Sequence, residues 1–337
     1  MAHLIDNDAL LLGANVSDFG ARHIVRLSEE EVRTIHINDS GNLEVHKSTD
    51  SGVNWTLMTT FTPVSGSLRY PSICKYDSVT FIVAWVEGSG TNYDVKVQMC
   101  ASEVWTSILT WSFTDIGAIT FPMPAITFNK TVSGRLHIFV PHHATTNIVT
   151  IKNKYTDNFG GLWTNGTDYA GGTRTAACSI HDIASRSDTG VVTIGFRNYD
   201  STTYYFNHFT SVGVYSSTTT KSINGSANGA SFGYDSTNTL RYVVLDNQSS
   251  GTMRVWDGTT WVPTCLDGMV ALGIDGADNV YVFYTKTTEI CYYKKWTKIG
   301  ATWGSEVQLT TGDGQRIKCE QNAIPSSSYL HLVYFSD

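Results

Sequence analysis

The chain has 337 residues and a net charge of −7, with 16% charged, 41% hydrophobic and 12% aromatic residues. No Lys/Arg run is present, which argues against a nucleic-acid partner. No stretch of 18 apolar residues exists, so the sequence predicts no membrane insertion, and Met1–Asp6 lacks the pattern of a secretory signal. Gly, Ser, Thr, Asn and Tyr are abundant and no linker interrupts the chain, so we expect a single domain spanning 1–337.

An apolar strand that ends in polar or charged residues recurs along the chain, with starts roughly 40 to 55 residues apart. The seven copies are Val32–Asp39, Val79–Glu87, Arg135–His143, Val191–Asn198, Leu240–Asn247, Val280–Lys286 and Tyr329–Asp337. This period is typical of a four-stranded propeller blade. The sequence therefore predicts an all-β fold, a single β-propeller of four-stranded antiparallel blades. Seven blades are favoured, six are the alternative, and no helix is expected.

The last copy, Tyr329–Asp337, reaches the end of the sequence without the two further strands that a blade requires. The spare apolar segment is Ala9–Gly13 at the other end of the chain. A strand at Leu10–Leu12 that pairs in the last blade would leave no exposed sheet edge. We therefore expect the ring to be closed by the N-terminal strand.

A turn motif at Ser48–Trp55 separates two strand-like runs in the first unit. Gly52 can adopt positive φ without steric cost, and Asp50 can accept hydrogen bonds from the backbone of the turn. Trp55 begins the next strand and offers a large apolar face. The pattern Ser-x-Asp-x-Gly-x-x-Trp resembles the Asp-box, or BNR, repeat of the sialidase-like β-propellers, in which the box is structural.

The Gly-x-x-Trp part of this motif occurs four times in a chain with 29 Gly and 9 Trp. Random placement predicts roughly one occurrence, so the pattern indicates a repeat. The predicted structural residues of these turns are Ser48, Asp50, Gly52, Trp55, Asp157, Gly160, Trp163, Gly258, Trp261, Gly300 and Trp303.

Candidate ligand-binding residues follow from the topology of sialidase-like propellers, taken as an analogy. In that topology, the ends of the recurring strands and the segments that lead into each blade share one face. The predicted ligand-binding residues are Arg69, Tyr70, His142, Arg197, Tyr199, Asp246 and Arg316. Aromatic residues such as Trp105, Trp111 and Trp256 exceed the needs of a lean core and favour stacking on a sugar ring.

The adjacent histidines His142 and His143 are interpreted as a solvated loop pair, because neighbours on a strand point to opposite faces and rarely bind one ion. The sequence predicts no metal site and no cofactor.

The segment Arg69-Tyr70-Pro71 resembles the Arg-Ile-Pro motif of sialidases, whose arginine binds the substrate carboxylate. The resemblance implies a clamp for the substrate carboxylate that Arg197 and Arg316 complete. It also compares Tyr334 with the tyrosine nucleophile of the family and Glu87 with an acid/base carboxylate. The chain departs from the motif, because Tyr70 replaces Ile and the segment follows the first Asp box instead of preceding it. No catalytic residue is therefore predicted.

The favoured hypothesis is a non-catalytic recognition or structural propeller that binds a glycan or a partner protein. The alternatives are an exo-acting glycoside hydrolase of sialidase type and a purely scaffolding propeller. The Ser/Thr/Asn/Gly-rich composition and weakly kept boxes resemble propellers in bacteriophage tail and fibre proteins. That resemblance implies assembly into a larger particle at a virion or extracellular surface, with a cytoplasmic location as the alternative.

Overall fold

A computed structural model describes residues 22–115, 122–129, 134–145, 148–157, 162–170, 178–198, 203–222, 227–246, 252–261, 265–286, 290–309, 316–319, 330 and 332–335. All regular structure in these ranges is β-strand, which confirms the all-β prediction. In the described ranges, no helix is long and apolar enough to span a bilayer.

The first two sheets are four-stranded antiparallel meanders in which each strand pairs with the next one along the chain. The first sheet contains β1 (Ile24–Arg26), β2 (Val32–Ile37), β3 (Leu43–Ser48) and β4 (Thr56–Phe61). The second contains β5 (Ser67–Lys75), β6 (Thr80–Ser89), β7 (Asn92–Ala101) and β8 (Val104–Thr114).

The third and fourth sheets repeat this order, although the outer strand of the third is split in two. The third contains β9 (Ala125–Asn129), β10 (Arg135–Thr145), β11 (Ile148–Thr156), β12 (Thr164–Asn165) and β13 (Tyr169–Ala170). The fourth contains β14 (Cys178–Ser185), β15 (Val192–Asn198), β16 (Thr203–Phe209) and β17 (Tyr215–Ser222).

The C-terminal third of the chain forms two further meanders and a strand pair. The fifth sheet contains β18 (Ala227–Tyr234), β19 (Leu240–Asp246), β20 (Thr252–Val255) and β21 (Thr260–Trp261). The sixth contains β22 (Cys265–Ile274), β23 (Val280–Lys286), β24 (Cys291–Thr297), β25 (Thr302–Trp303) and β26 (Val307–Gln308). The last pair contains β27 (Arg316–Cys319) and β28 (Leu332–Phe335).

The sheets stack face to face in chain order, and the first strand of each sheet contacts the first strand of the next. Contacts run from β1 to β5, then to β9, β14, β18, β22 and β27. A strand between two sheets is apolar on both sides, which explains why β6 is buried along nearly its whole length. Outer strands such as β17 alternate between half-buried and exposed residues because they contact solvent.

Arg22 lies where the first strands of several sheets meet. The Arg22 side chain is buried and forms an ion pair with Asp182 of the fourth sheet at 2.8 Å. Its Nη2 also donates to the carbonyl oxygen of Phe232 in the fifth sheet at 3.2 Å. The carbonyl oxygen of Arg22 accepts from the backbone N–H of Ile73 in the second sheet at 3.0 Å. One residue next to β1 thus contacts three other sheets, so the first strands of these sheets lie close together at this point.

All seven predicted apolar strands coincide with observed strands, namely β2, β6, β10, β15, β19, β23 and β28. The predicted four-stranded meander is also observed. The third and sixth sheets have five strands, because β12 and β13 both pair with β11 and because β25 and β26 both pair with β24. The predicted N-terminal strand at Leu10–Leu12 lies outside the described residues.

Candidate functional site

A cleft of about 400 Å³ opens between the second and third sheets. The outer strand β8 forms one wall, and β10, β11 and the segment between β12 and β13 form the other. The lining residues are Trp111, Ser112, Phe113, Thr114, His142, Lys152, Asn153, Asn165, Gly166 and Asp168. This volume lies within the range of small-ligand sites.

The wall from β8 is aromatic. Trp111 and Phe113 lie two residues apart on one strand and therefore share a face, with ring centroids 4.6 Å apart. Phe113 is buried, stacks on Tyr93 at 5.3 Å and also contacts the His142 ring at 5.0 Å. Nζ of Lys154 lies 4.9 Å from the centroid of the Trp111 ring. The cleft is thus bordered by a rigid aromatic surface backed by core packing.

The opposite wall is polar. Lys152 Nζ lies 2.6 Å from Asp168 Oδ2, and both side chains are partly exposed. Gly166 brings the backbone close, since a Cβ at this position would lie 2.3 Å from Asn153 Nδ2. Among the lining residues, the two that carry formal charge at neutral pH have opposite signs and neutralise each other.

A buried hydrogen-bond network holds His142 at the edge of the cleft. Asp115 Oδ1 accepts from the backbone N–H of His143 at 3.0 Å and from the Tyr93 hydroxyl at 3.3 Å. His142 Nε2 lies 3.5 Å from the same oxygen and 3.2 Å from the carbonyl oxygen of Thr114. Burial raises the pKa of Asp115. Because Nε2 faces two oxygens, we assign the imidazole proton to Nε2.

The two predicted residues Arg69 and Tyr70 lie on β5, in the same sheet interface as His142. Arg69 Nη2 donates to the carbonyl oxygen of Gly88 at 3.4 Å, and its guanidinium carbon lies 5.9 Å from the Tyr70 ring centroid. Tyr70 is buried, forms part of a bulge and has a φ of 56°. Positive φ is unfavourable for a residue with a bulky side chain, so the bulge stores backbone strain.

Four other predicted ligand-binding residues have side chains outside the described part of the chain. Arg197 is the second-last residue of β15, Asp246 is the last residue of β19, and Arg316 begins β27. Tyr199 lies outside the described residues altogether. The triple-arginine clamp implied by the sialidase resemblance therefore stays a prediction, and so does the role of Tyr334, whose backbone pairs with Ile317.

Glu87 has a structural role that the sequence did not indicate, and the interpretation of the two histidines was wrong. Glu87 Oε1 accepts from the backbone N–H groups of Val64 at 2.7 Å and Ser65 at 3.0 Å, so this buried carboxylate holds the loop before β5. His142 and His143 lie within β10 and are shielded, not in a solvated loop, because the chain continues as a strand to Thr145 and packs on Asp115.

The turn after β3 forms a local hydrogen-bond network. Gly52 has a φ of 86° and donates its N–H to Ser48 Oγ at 2.8 Å. Asp50 Oδ1 accepts from Asn54 N at 2.9 Å, and the Trp55 indole donates to the carbonyl oxygen of Gly52 at 2.9 Å. Trp55 is half-buried against its own turn instead of being fully buried between sheets.

The later Gly-x-x-Trp turns contribute contacts between sheets. The Trp163 indole donates to the carbonyl oxygen of Ile108 in the second sheet at 2.8 Å. The Trp303 indole donates to Asp257 of the fifth sheet at 2.9 Å and packs edge-to-face on Trp261 at 4.4 Å. Gly258 and Gly300 have φ values of 88° and 91°, whereas Asp157 forms an ion pair with Arg135. Gly160 lies outside the described residues.

Sequence reasoning identified Trp111 and His142 but missed Lys152, Asn165 and Asp168. The number of aromatic residues beyond the needs of the core was the sequence feature that pointed to Trp111. Lys152 lies on β11 and Asp168 lies between β12 and β13, and only the antiparallel pairing of β11 with β12 and β13 brings them together.

No protein-family model and no curated protein sequence matches the chain. Among solved structures, a chain of the mitotic checkpoint complex is similar with a TM-score of 0.57 and 11% identity, covering 98% of this chain and 91% of that one. The SapL1 lectin in complex with alpha methyl fucoside has a TM-score of 0.51 and 11% identity, covering 94% and 89%. A Hadza microbial sialidase, Hz136, has a TM-score of 0.47 and 13% identity, covering 87% and 71%.

At these identities the similarity concerns the fold alone. Successive antiparallel meanders of four or five strands, stacked in chain order, give the described part of the chain a β-propeller-like fold.

Proposed function

We propose that this protein is a non-catalytic recognition propeller that binds a neutral glycan in the cleft between the second and third sheets. The observation that carries the proposal is the composition of the cleft, in which an aromatic wall at Trp111 and Phe113 lies opposite the Lys152–Asp168 pair.

A sugar ring has an apolar C–H face and a rim of hydroxyl groups, and the two walls match these two sides. The indole of Trp111 offers a flat, polarisable surface to the apolar face. Lys152 is a donor, Asp168 is an acceptor, and Asn165 is both, so together they can satisfy hydroxyl groups that act as donors and acceptors. The fold similarity to a lectin solved with a fucoside supports a glycan as the ligand class.

The charge of the cleft favours a neutral sugar over a sialoside. A sialoside carboxylate needs a cation that is not already neutralised, and arginine forks supply this in a bidentate geometry. Here Lys152 is paired with Asp168, and the other nearby cation, Lys154, is a single point charge over the Trp111 ring. Arg69 is not a lining residue, so the described lining of the cleft contains no arginine fork. The exo-acting hydrolase is the second candidate, and its support is the Arg69-Tyr70-Pro71 motif. Glu87 is engaged by the loop before β5, which weakens that candidate.

We infer a single domain of seven blades over residues 1–337. The segment Leu10–Leu12 adds a strand to the blade that contains β27 and β28, and the Asp-box-like turns lie on the face away from the ligand. We place the protein at a virion or extracellular surface, in a larger assembly, where a partner protein or a purely scaffolding contact would use the remaining surface.

Calorimetric titration with a panel of neutral methyl glycosides and one methyl sialoside tests the proposal. We expect one or more neutral glycosides to bind and Trp111→Ala to weaken that binding about tenfold or more, since truncating a central aromatic contact costs about 2 kcal/mol. Asp168→Asn, at a partly exposed site, should weaken binding without changing the melting temperature.

The matched control is Trp55→Ala, which removes an indole from a turn outside the cleft. Binding that survives Trp111→Ala and Asp168→Asn would contradict the cleft as the site. Binding or turnover of the sialoside that depends on Arg69 would favour the hydrolase.

A further inference from the structure

Three side chains of metal-ligating type converge on the first sheet, away from the cleft. His36 on β2 lies directly opposite Glu44 on β3 in the antiparallel register. Glu44 and His46 are two residues apart on β3, so all three side chains share one face of the sheet. The other face, which includes Ile35 and Val45, packs in the core shared with the second sheet.

The donor atoms already have nearly the spacing that a bound ion requires. Glu44 Oε2 lies 3.0 Å from His46 Nε2 and 3.4 Å from His36 Nε2. The potential ligand atoms of the three residues lie within 4.8 Å of one another. Two donors on a tetrahedral zinc ion, each about 2.0–2.2 Å from the metal, lie about 3.3–3.5 Å apart. The two distances from Glu44 to the imidazoles are therefore already close to those of a three-ligand site.

A neighbouring residue fixes the orientation of the carboxylate. Asn38 Nδ2 donates to Glu44 Oε1 at 2.6 Å, which leaves Oε2 directed at the two imidazoles. Asn38 is itself held by the turn between β2 and β3, because its Oδ1 accepts from the backbone N–H groups of Ser40 and Asn42, both at 3.0 Å. Such outer partners orient the ligands of metal sites and tune their affinity.

The exposure of the cluster leaves a route for an ion. The His36 side chain is 3% exposed, whereas those of His46 and Glu44 are 11% and 21% exposed. One side of the cluster therefore reaches solvent, where water can occupy a fourth coordination position. Two imidazoles and one carboxylate suit zinc and similar transition metals and do not suit Mg²⁺ or Ca²⁺, which prefer oxygen ligands.

We propose that His36, Glu44 and His46 form a binding site for one Zn²⁺ ion with an open fourth position. The ion joins β2 to β3 beside the turn that connects them. The site is separate from the glycan cleft, so it does not depend on the proposed function. The sequence predicted no metal, because the two histidines are ten residues apart and only the strand register brings them together.

The test uses the full chain after treatment with a chelator. We expect calorimetry to show one Zn²⁺ per chain, and Co²⁺ to give the visible absorption bands of a low-coordinate site with nitrogen ligands. Glu44→Gln and His46→Gln should each weaken Zn²⁺ binding about 100-fold or more, and Asn38→Ala about tenfold. Glu44→Gln keeps the size and shape of the side chain and one acceptor oxygen for Asn38, so it separates ligation from folding.

The matched control is His208→Gln, which removes an imidazole in the fourth sheet that bonds to Thr193 and Thr219. This variant should bind Zn²⁺ as the wild type does. Absence of Zn²⁺ and Co²⁺ binding in the wild type would overturn the proposal. Undiminished binding in Glu44→Gln and His46→Gln, or an equal loss in His208→Gln, would also overturn it and would indicate that the cluster is a hydrogen-bonded group without an ion.

Discussion

At the scale of single residues, Arg22 contacts several sheets, and no sequence motif predicted this role. Asp182 accepts from Arg22 and also from Ser231 Oγ at 3.0 Å and Phe232 N at 2.9 Å, so the buried charge pair is surrounded by hydrogen bonds. Removing one member of a buried pair leaves the other charge uncompensated, which costs about 3–5 kcal/mol. The pair therefore links the stability of the first sheet to that of the fourth and fifth.

Arg22→Met should lower the free energy of unfolding by about 3–5 kcal/mol, because it leaves the Asp182 carboxylate buried without its cation. Urea denaturation of the single variants and of Arg22→Met/Asp182→Asn provides the measurement. We expect the double variant to be more stable than the sum of the single losses implies. Strict additivity of the two losses would contradict a direct interaction.

His137 makes the stability of the protein depend on pH. Its ring is fully buried beside Phe139 and Tyr155. Burial is the main cause that lowers its pKa from 6.5 to about 4, and the nearby charge of Arg135 adds to the effect. The charge of Asp157 opposes this change. The unfolded chain then binds a proton that the folded chain does not. The stability from this difference is present above pH 6.5 and is lost as the pH falls toward 4.

His137→Phe should flatten this dependence. Between pH 7.5 and pH 5 the wild type should lose about 2 kcal/mol more than the variant, from the two pKa values and about 1.4 kcal/mol per unit. Urea unfolding at the two pH values measures the difference. Because His36 and His208 also have pKa values lowered by burial, the comparison between wild type and variant is the informative quantity. Equal losses in both proteins would show that His137 is not the responsible group.

At the scale of elements, the Ser48 turn tests whether an Asp-box turn is a stabilising unit. Ser48→Ala removes a buried hydroxyl that accepts from Gly52 N and donates to Asp50, and it should lower the free energy of unfolding by about 1–2 kcal/mol. Thermal and urea unfolding measure the loss, with Ser78→Ala, at an exposed turn of the second sheet, as the control. Unchanged stability would mean that water replaces the lost bonds.

Strands and turns were predictable because their signals are local. Alternation, apolar runs and turn residues such as Gly52 act over a few positions, and the seven recurring strands appear where the sequence placed them. The sites depend on register and stacking, which act over longer distances. His36 meets Glu44, and Lys152 meets Asp168, only after strands have paired. Glu87 looked chemically available in sequence, but the loop at Val64 uses its carboxylate.

At the scale of the whole molecule, each sheet is stabilised by the neighbours on its two faces. In the described part of the chain, apolar clusters bridge the first and second, second and third, and later sheets in succession, so each sheet shares its core with a neighbour. The cleft lies where two such sheets separate at their outer strands. A binding site between sheets is therefore sensitive to their spacing, whereas the metal-ligating cluster is built within one sheet.

The last strand pair, β27 and β28, needs contacts with the rest of the molecule to be stable. Among the described residues it has two strands where the other sheets have four or five, and an isolated pair is marginally stable in water. It packs on the sixth sheet through Cys319 and Leu330. If the segment Leu10–Leu12 adds a strand to it, deletion of residues 1–14 should open the edge and lower the melting temperature by several degrees.

Differential scanning calorimetry of the full chain and of the deletion variant provides the measurement. Hydrogen exchange should show faster exchange at β28 in the deletion variant and unchanged exchange in the third sheet, since loss of a seam strand acts first on its own blade. A substitution of Leu11 by Asp should reproduce the effect without shortening the chain. An unchanged melting temperature in both variants would place the closing strand elsewhere in the sequence.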